Sequence, residues 1–156
     1  MNAMTARAVT LGIVVAVWTA ISHYAKLPLQ LWPVIVGLGC FLAAGRGMPS
    51  LQKTLASTIS GVVWALLAYS ASRSLGRTNV VDALVYGAAV AGMVLQARVP
   101  LLSYTGGVVV GAAAAMGAGL RSLEGGVRVA AALAIGAVLG YAAEMGAEKM
   151  MEGRRR

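Results

Sequence analysis

Apolar residues gather along this chain in six blocks, roughly Val9–Tyr24, Leu31–Ala44, Thr54–Ser72, Val80–Ala97, Leu101–Leu120 and Val127–Met145. None of them carries Lys or Arg in its centre. The blocks are continuous and rich in Ala and Gly, without the period-two alternation that the strands of a membrane β-barrel require. A helix satisfies its own backbone groups in lipid, so the pattern predicts six transmembrane helices. Polar residues, Gly and Pro fall between the blocks: Lys26-Leu27-Pro28, Gly45–Ser50, Arg73–Asn79, Arg98-Val99-Pro100 and Arg121–Gly126. The second block is the shortest. It reads as a full span, as one that starts earlier through Leu27-Pro28-Leu29, or as a broken or re-entrant piece. The first block is not a cleavable leader, since only Arg7 precedes it and five similar blocks follow.

Composition strengthens this picture. Of 156 residues 59% are hydrophobic and 12% charged, and the mean hydropathy is +0.79. Soluble domains sit near roughly 45–50% apolar and about 25% charged. Disorder and collagen are excluded, and a lone cysteine, Cys40, excludes a disulfide scaffold. The expectation is an all-α integral membrane protein with a single six-helix domain over 1–150 and a short basic tail at 151–156.

The net charge of +8 does not change that reading, because basic residues scattered between apolar blocks are what insertion selects, and no nucleic-acid partner is expected. Arg7, Arg46, Lys53, Arg98, Lys149 and Arg154–Arg156 fall on one side, and Lys26, Arg73, Arg77, Arg121 and Arg128 on the other. Eight against five favours both termini in the cytoplasm.

Shifting the chain by 75 residues sets Gly12 on Gly87, Arg46 on Arg121, Lys53 on Arg128 and Gly61 on Gly136. Two readings stay open: chance in an Ala/Gly/Val-rich composition, or a 3+3 inverted repeat with halves 7–78 and 82–150.

Catalytic ingredients are sparse. One histidine, His23, and one cysteine cannot form a multi-His or multi-Cys metal site. There is no phosphate-binding loop and no nucleophile elbow, and the five acids lie at block ends or in connectors. No enzyme activity, metal or cofactor is expected. Small residues recur at helical spacing instead, at Gly61, at Gly107 and Gly111, and at Gly136 and Gly140. They flatten helix faces for packing within the chain or between copies of a homo-oligomer. Hydroxyls at Thr54 and Ser57, with Gln30, Trp32, Ser103, Tyr104 and Thr105 at two Pro- or Gly-interrupted stretches, are the solute-path candidates. The same two stretches also read as ordinary helix starts at the interface.

Gly39-Cys40 in the short block is followed by Ser60-Gly61-Val62-Val63-Trp64-Ala65, then Leu101-Leu102-Ser103-Tyr104 with Gly107, Gly111 and Ala112, then Gly136 with Gly140-Tyr141-Ala142. In order and spacing this resembles the YcdZ-like family, small bacterial inner-membrane proteins of unknown function. The resemblance runs from about Leu31 to Tyr141, and the chain departs from it in the third connector and the Arg-rich tail. It implies a bacterial inner-membrane location and supplies no substrate, cofactor or catalytic residue. Two functions follow as expectations: permeation of a small neutral or weakly polar solute, or a non-transporting membrane scaffold that binds a partner.

Overall fold

The computed structural model describes residues 3–26, 29–119 and 122–152, and each apolar block folds as a helix: α1 (Ala3–Tyr24), α2 (Leu31–Ala44), α3 (Gly47–Ser74), α4 (Asn79–Leu95), α5 (Thr105–Gly117) and α6 (Leu123–Glu152). Leu27 and Pro28, Leu120 and Arg121, and the terminal Arg154–Arg156 lie outside the described residues. Among the described residues four helical stretches are long and apolar enough to cross a membrane: Met4–Tyr24, Gly47–Ser74, Asn79–Arg98 and Leu123–Glu152. The second and fifth helices are shorter, 14 and 13 residues.

The fifth block is shorter than its hydropathy suggests. Val99 precedes Pro100, which disfavours helical geometry at the residue before it, and its ψ is 121°. Two 3₁₀ turns, Gln96–Arg98 and Pro100–Leu102, fill the approach, and the α-helix starts only at Thr105. The third and sixth helices run past their apolar blocks into polar flanks. Residues 151 and 152, placed in the tail by composition, continue α6.

The two long helices α3 and α6 form the centre. One of the short pair, α5, lies along α3 and the other, α2, along α6, while α4 covers α3 and α1 covers α6. Ser57 beside Gly107 and Gly61 beside Ala112 make α3 and α5 parallel. Val34 against Gly136 and Phe41 against Gly140 do the same for α2 and α6. Both α1 and α4 keep mostly exposed apolar faces, with Ile13, Val17 and Ile21 on one and Leu84, Val90 and Val94 on the other. Such faces suit hydrocarbon.

The core is closed by backbone-to-backbone contact at four glycines. A β-carbon at Gly61 would lie 2.0 Å from the Val108 carbonyl oxygen, and one at Gly136 would lie 1.9 Å from that of Val34. Gly111 meets the Thr58 carbonyl at 2.2 Å and Gly37 the Leu133 carbonyl at 2.1 Å in the same construction. These contacts exchange between the halves: α3 maps to α6 at an offset of 75 residues and α2 to α5 at 74. Leu133, Val108 and Phe41 are fully buried around them.

Candidate functional site

The polar interior is built on one face of α3. Thr54, Ser57 and Thr58 are all fully buried there. Thr58 Oγ1 donates to the Thr54 carbonyl at 2.8 Å, the usual fate of a hydroxyl in a helix. Thr54 Oγ1 and Ser57 Oγ have no hydrogen-bond partner among the described residues. Gly107, in the first turn of α5, brings that helix against the serine: a β-carbon there would sit 3.2 Å from Ser57 Cβ.

Tyr104 roofs this cluster. It occupies the position before α5 and folds back over the first turn, where β-carbons at Gly107 and Gly106 would lie 2.5 Å and 3.3 Å from its ring. The paired glycines therefore seat an aromatic ring and leave the helix intact, so no carbonyls are released there. The Tyr104 phenol interacts with the Cys40 thiol of α2. One site thus joins α2, α3 and α5 through Cys40, Ser57 and Tyr104, with Thr54 adjoining on the α3 face.

The other path candidates divide. Ser103 is exposed and donates to the Pro100 carbonyl at 2.8 Å, closing its own turn. Thr105 is half-buried as the first residue of α5. Gln30 and Trp32 lie at the opposite end of α2, where Trp32 Nε1 donates to Gln30 Oε1 at 2.8 Å. Gln30 also lines a cavity of about 160 Å³ with Pro33, Arg128, Val129 and Ala132. Pro33 is buried in the first turn of α2, a place proline tolerates, and the helix runs on uninterrupted. Both stretches are helix starts.

The glycines read from spacing sit on contacts within the chain: Gly61, Gly107 and Gly111 between α3 and α5, Gly136 and Gly140 between α6 and α2.

Sequence reasoning passed over Gln96. Its Oε1 accepts from Ser60 Oγ at 2.8 Å and from Trp64 Nε1 at 3.0 Å, pinning the end of α4 to α3. Gly92 opens the room for the indole, with a β-carbon 2.3 Å from Trp64 Cη2. An amide ending an apolar block was the available signal. The partners, 36 and 32 residues away, were not. Cys40, which the sequence marks only as a lone cysteine, is buried, and its thiol interacts with the Tyr104 phenol. Glu144, read only as lying near a block end, accepts from the Gly47 backbone N–H at 2.9 Å.

The model of a family described as "Protein of unknown function (DUF1097)" matches residues 8–148. The chain is 30% identical over 115 residues to "Inner membrane protein YcdZ" of Escherichia coli (strain K12), covering 73% of this chain and 69% of that protein. It is 30% identical over 117 residues to the protein of the same name from Salmonella typhimurium, covering 73% and 71%. The "Uncharacterized protein YahC" of Escherichia coli is 37% identical over 73 residues, 44% of each chain. No solved structure matches.

Proposed function

We propose that this chain, which belongs to the DUF1097 family, is a multi-pass inner-membrane protein through which a small neutral or weakly polar solute crosses the bilayer. The carrying observation is the pair of oxygens, Thr54 Oγ1 and Ser57 Oγ, fully buried on one face of α3 and without a partner among the described residues, with Ser57 next to Gly107 and the Tyr104 ring. Leaving a buried hydroxyl unsatisfied costs about 1–3 kcal/mol. A helix face that keeps two of them has a use for them, and a passing hydrogen-bonding molecule is that use. The cluster consists of hydroxyls, a thiol and a phenol without a charged side chain, which suits a neutral cargo.

The exchanged glycine contacts support an inverted 3+3 repeat. Under that exchange Tyr104 corresponds to Gln30, Thr54 to Val129 and Ser57 to Ala132, three residues that line the Gln30 cavity. On this reading one polar entrance belongs to each end of the antiparallel α2/α5 pair. The glycine contacts between them correspond to a closed state. Both termini are assigned to the cytoplasm on the count of basic residues.

The closed centre is also the observation behind a second reading, a membrane scaffold without transport. A partner, or a second copy in a homo-oligomer, would meet the outer faces of α1 and α4, because the glycine faces are used within the chain.

Stopped-flow swelling of proteoliposomes with urea, glycerol and other small neutral solutes separates the two. Acceleration of at least one solute over empty liposomes, reduced in Ser57→Val, supports permeation. Rates equal to empty liposomes across the panel would leave the scaffold.

A further inference from the structure

At the end of the bundle where α3 finishes and α4 begins, a cavity of about 700 Å³ opens to the surface. Arg73, Arg77, Tyr69 and Tyr86 line it and supply two guanidinium groups and two phenols. The carboxylates on this side are engaged elsewhere: Asp82 accepts from Ser72 Oγ, and Glu124 pairs with Arg128. Among the described residues no carboxylate pairs with Arg73 or Arg77. The Arg77 guanidinium lies 5.6 Å from the centre of the Tyr69 ring, which holds it over the cavity wall.

A second groove, of about 650 Å³, adjoins this cavity, and Tyr69 and Arg73 line both. Its other walls are mostly apolar, with Leu66 and Leu67 on α3. Leu66 lies seven residues before Arg73, a rise of about 10 Å toward the middle of the bilayer. Basic groups therefore stand at headgroup level, and an apolar channel leads from them into the hydrocarbon.

We propose that this paired cavity and groove is a binding site for an anionic phospholipid. The phosphate is held by Arg73 and Arg77 with the Tyr69 and Tyr86 hydroxyls as donors, and an acyl chain lies along Leu66 and Leu67. Guanidinium forks match phosphate oxygens two at a time. Two unpaired positive charges favour a lipid with net negative charge over a zwitterionic one.

Native mass spectrometry of the purified protein tests the assignment, with dioleoyl phosphatidylglycerol, dioleoyl phosphatidylcholine and inorganic phosphate as separate titrants. Phosphatidylglycerol should form adducts at about ten-fold lower concentration than phosphatidylcholine. Arg73→Gln/Arg77→Gln should erase that preference, while Arg46→Gln/Arg98→Gln at the opposite end retains it. Leu67→Asp should weaken the phosphatidylglycerol adduct with both arginines present. Equal binding of the two lipids, or a preference that survives Arg73→Gln/Arg77→Gln, would overturn the proposal. Displacement of phosphatidylglycerol by millimolar inorganic phosphate would also overturn it, in favour of a free-anion site. All three variants change exposed side chains, and matched thermal melts confirm that each is folded.

Discussion

Gly136 rests directly on the backbone of Val34, so close that a β-carbon would fall 1.9 Å from the Val34 carbonyl oxygen. In hydrocarbon, helices gain little from burying apolar surface against one another, and close backbone approach takes its place. The glycine here is a steric requirement, and the same relationship recurs between Gly61 and Val108.

Gly136→Ala and Gly61→Ala should each destabilise the protein by about 1–3 kcal/mol or more, because the obstructing atoms are rigid backbone. Gly87→Ala, with open space around it, should lose nothing and gain up to about 1 kcal/mol of helix propensity. Thermal unfolding in one detergent compares the three. A Gly136→Ala melt matching the parent would show that α2 and α6 have room to separate.

Gln96 holds two side chains of α3, so Gln96→Leu should strand Ser60 Oγ and the Trp64 indole N–H and cost about 1–3 kcal/mol. Adding Ser60→Ala to Gln96→Leu should cost less than the two single changes summed, since they share one bond. Additive losses in a double-mutant cycle would mean that the bond contributes nothing.

Thr54→Val is expected to behave in the opposite way. Its Oγ1 has no hydrogen-bond partner among the described residues and valine has the same shape, so stability should hold or rise by about 1 kcal/mol. Any solute flux through the protein should fall. Lower stability with unchanged flux would give the hydroxyl a structural duty and remove it from the path.

Cysteines placed singly in a Cys40→Ala background should report the helix order. Positions Lys26 and Arg77 should label from one side of the membrane, and Arg46 and Arg98 from the other. Labelling of Lys26 and Arg46 from the same side would mean that α2 enters and leaves by one face.

Much of this architecture was legible in the chain. The limits of α2, Leu31–Ala44, coincide with its apolar block because polar or helix-breaking residues flank both ends, Gln30 before and Gly45 after. The fifth block misled for a physical reason. Leu101 and Leu102 are as apolar as any helix residue, but Pro100 and the Tyr104 fold-back hold them in a 3₁₀ turn, which hydropathy does not register. The small-residue stripes follow from helical spacing, whereas the partners of each, α5 for Gly61 and α2 for Gly136, are set by tertiary register that spacing does not carry. At the site, the spacing of Thr54 and Ser57 put both on one helix face. What joined them to Tyr104 and Cys40 was the register of α5 on α3 and of α2 on α5, a tertiary property without a local signature.

The brevity of α2 and α5 bears on the energetics of crossing. At 14 and 13 residues they rise about 21 and 20 Å, against roughly 30 Å of hydrocarbon. The α2/α5 pair, packed against the two long central helices, is therefore about a third shorter than the membrane is thick. The work of carrying a dipolar molecule through a low-dielectric slab shrinks as the slab thins and as polar groups flank it. Tyr104 on one end of this helix pair and Gln30 on the other shorten the dry stretch further, so the permeation proposed above asks only for a brief loosening of a few glycine contacts, where a full-length helix pair would ask for more.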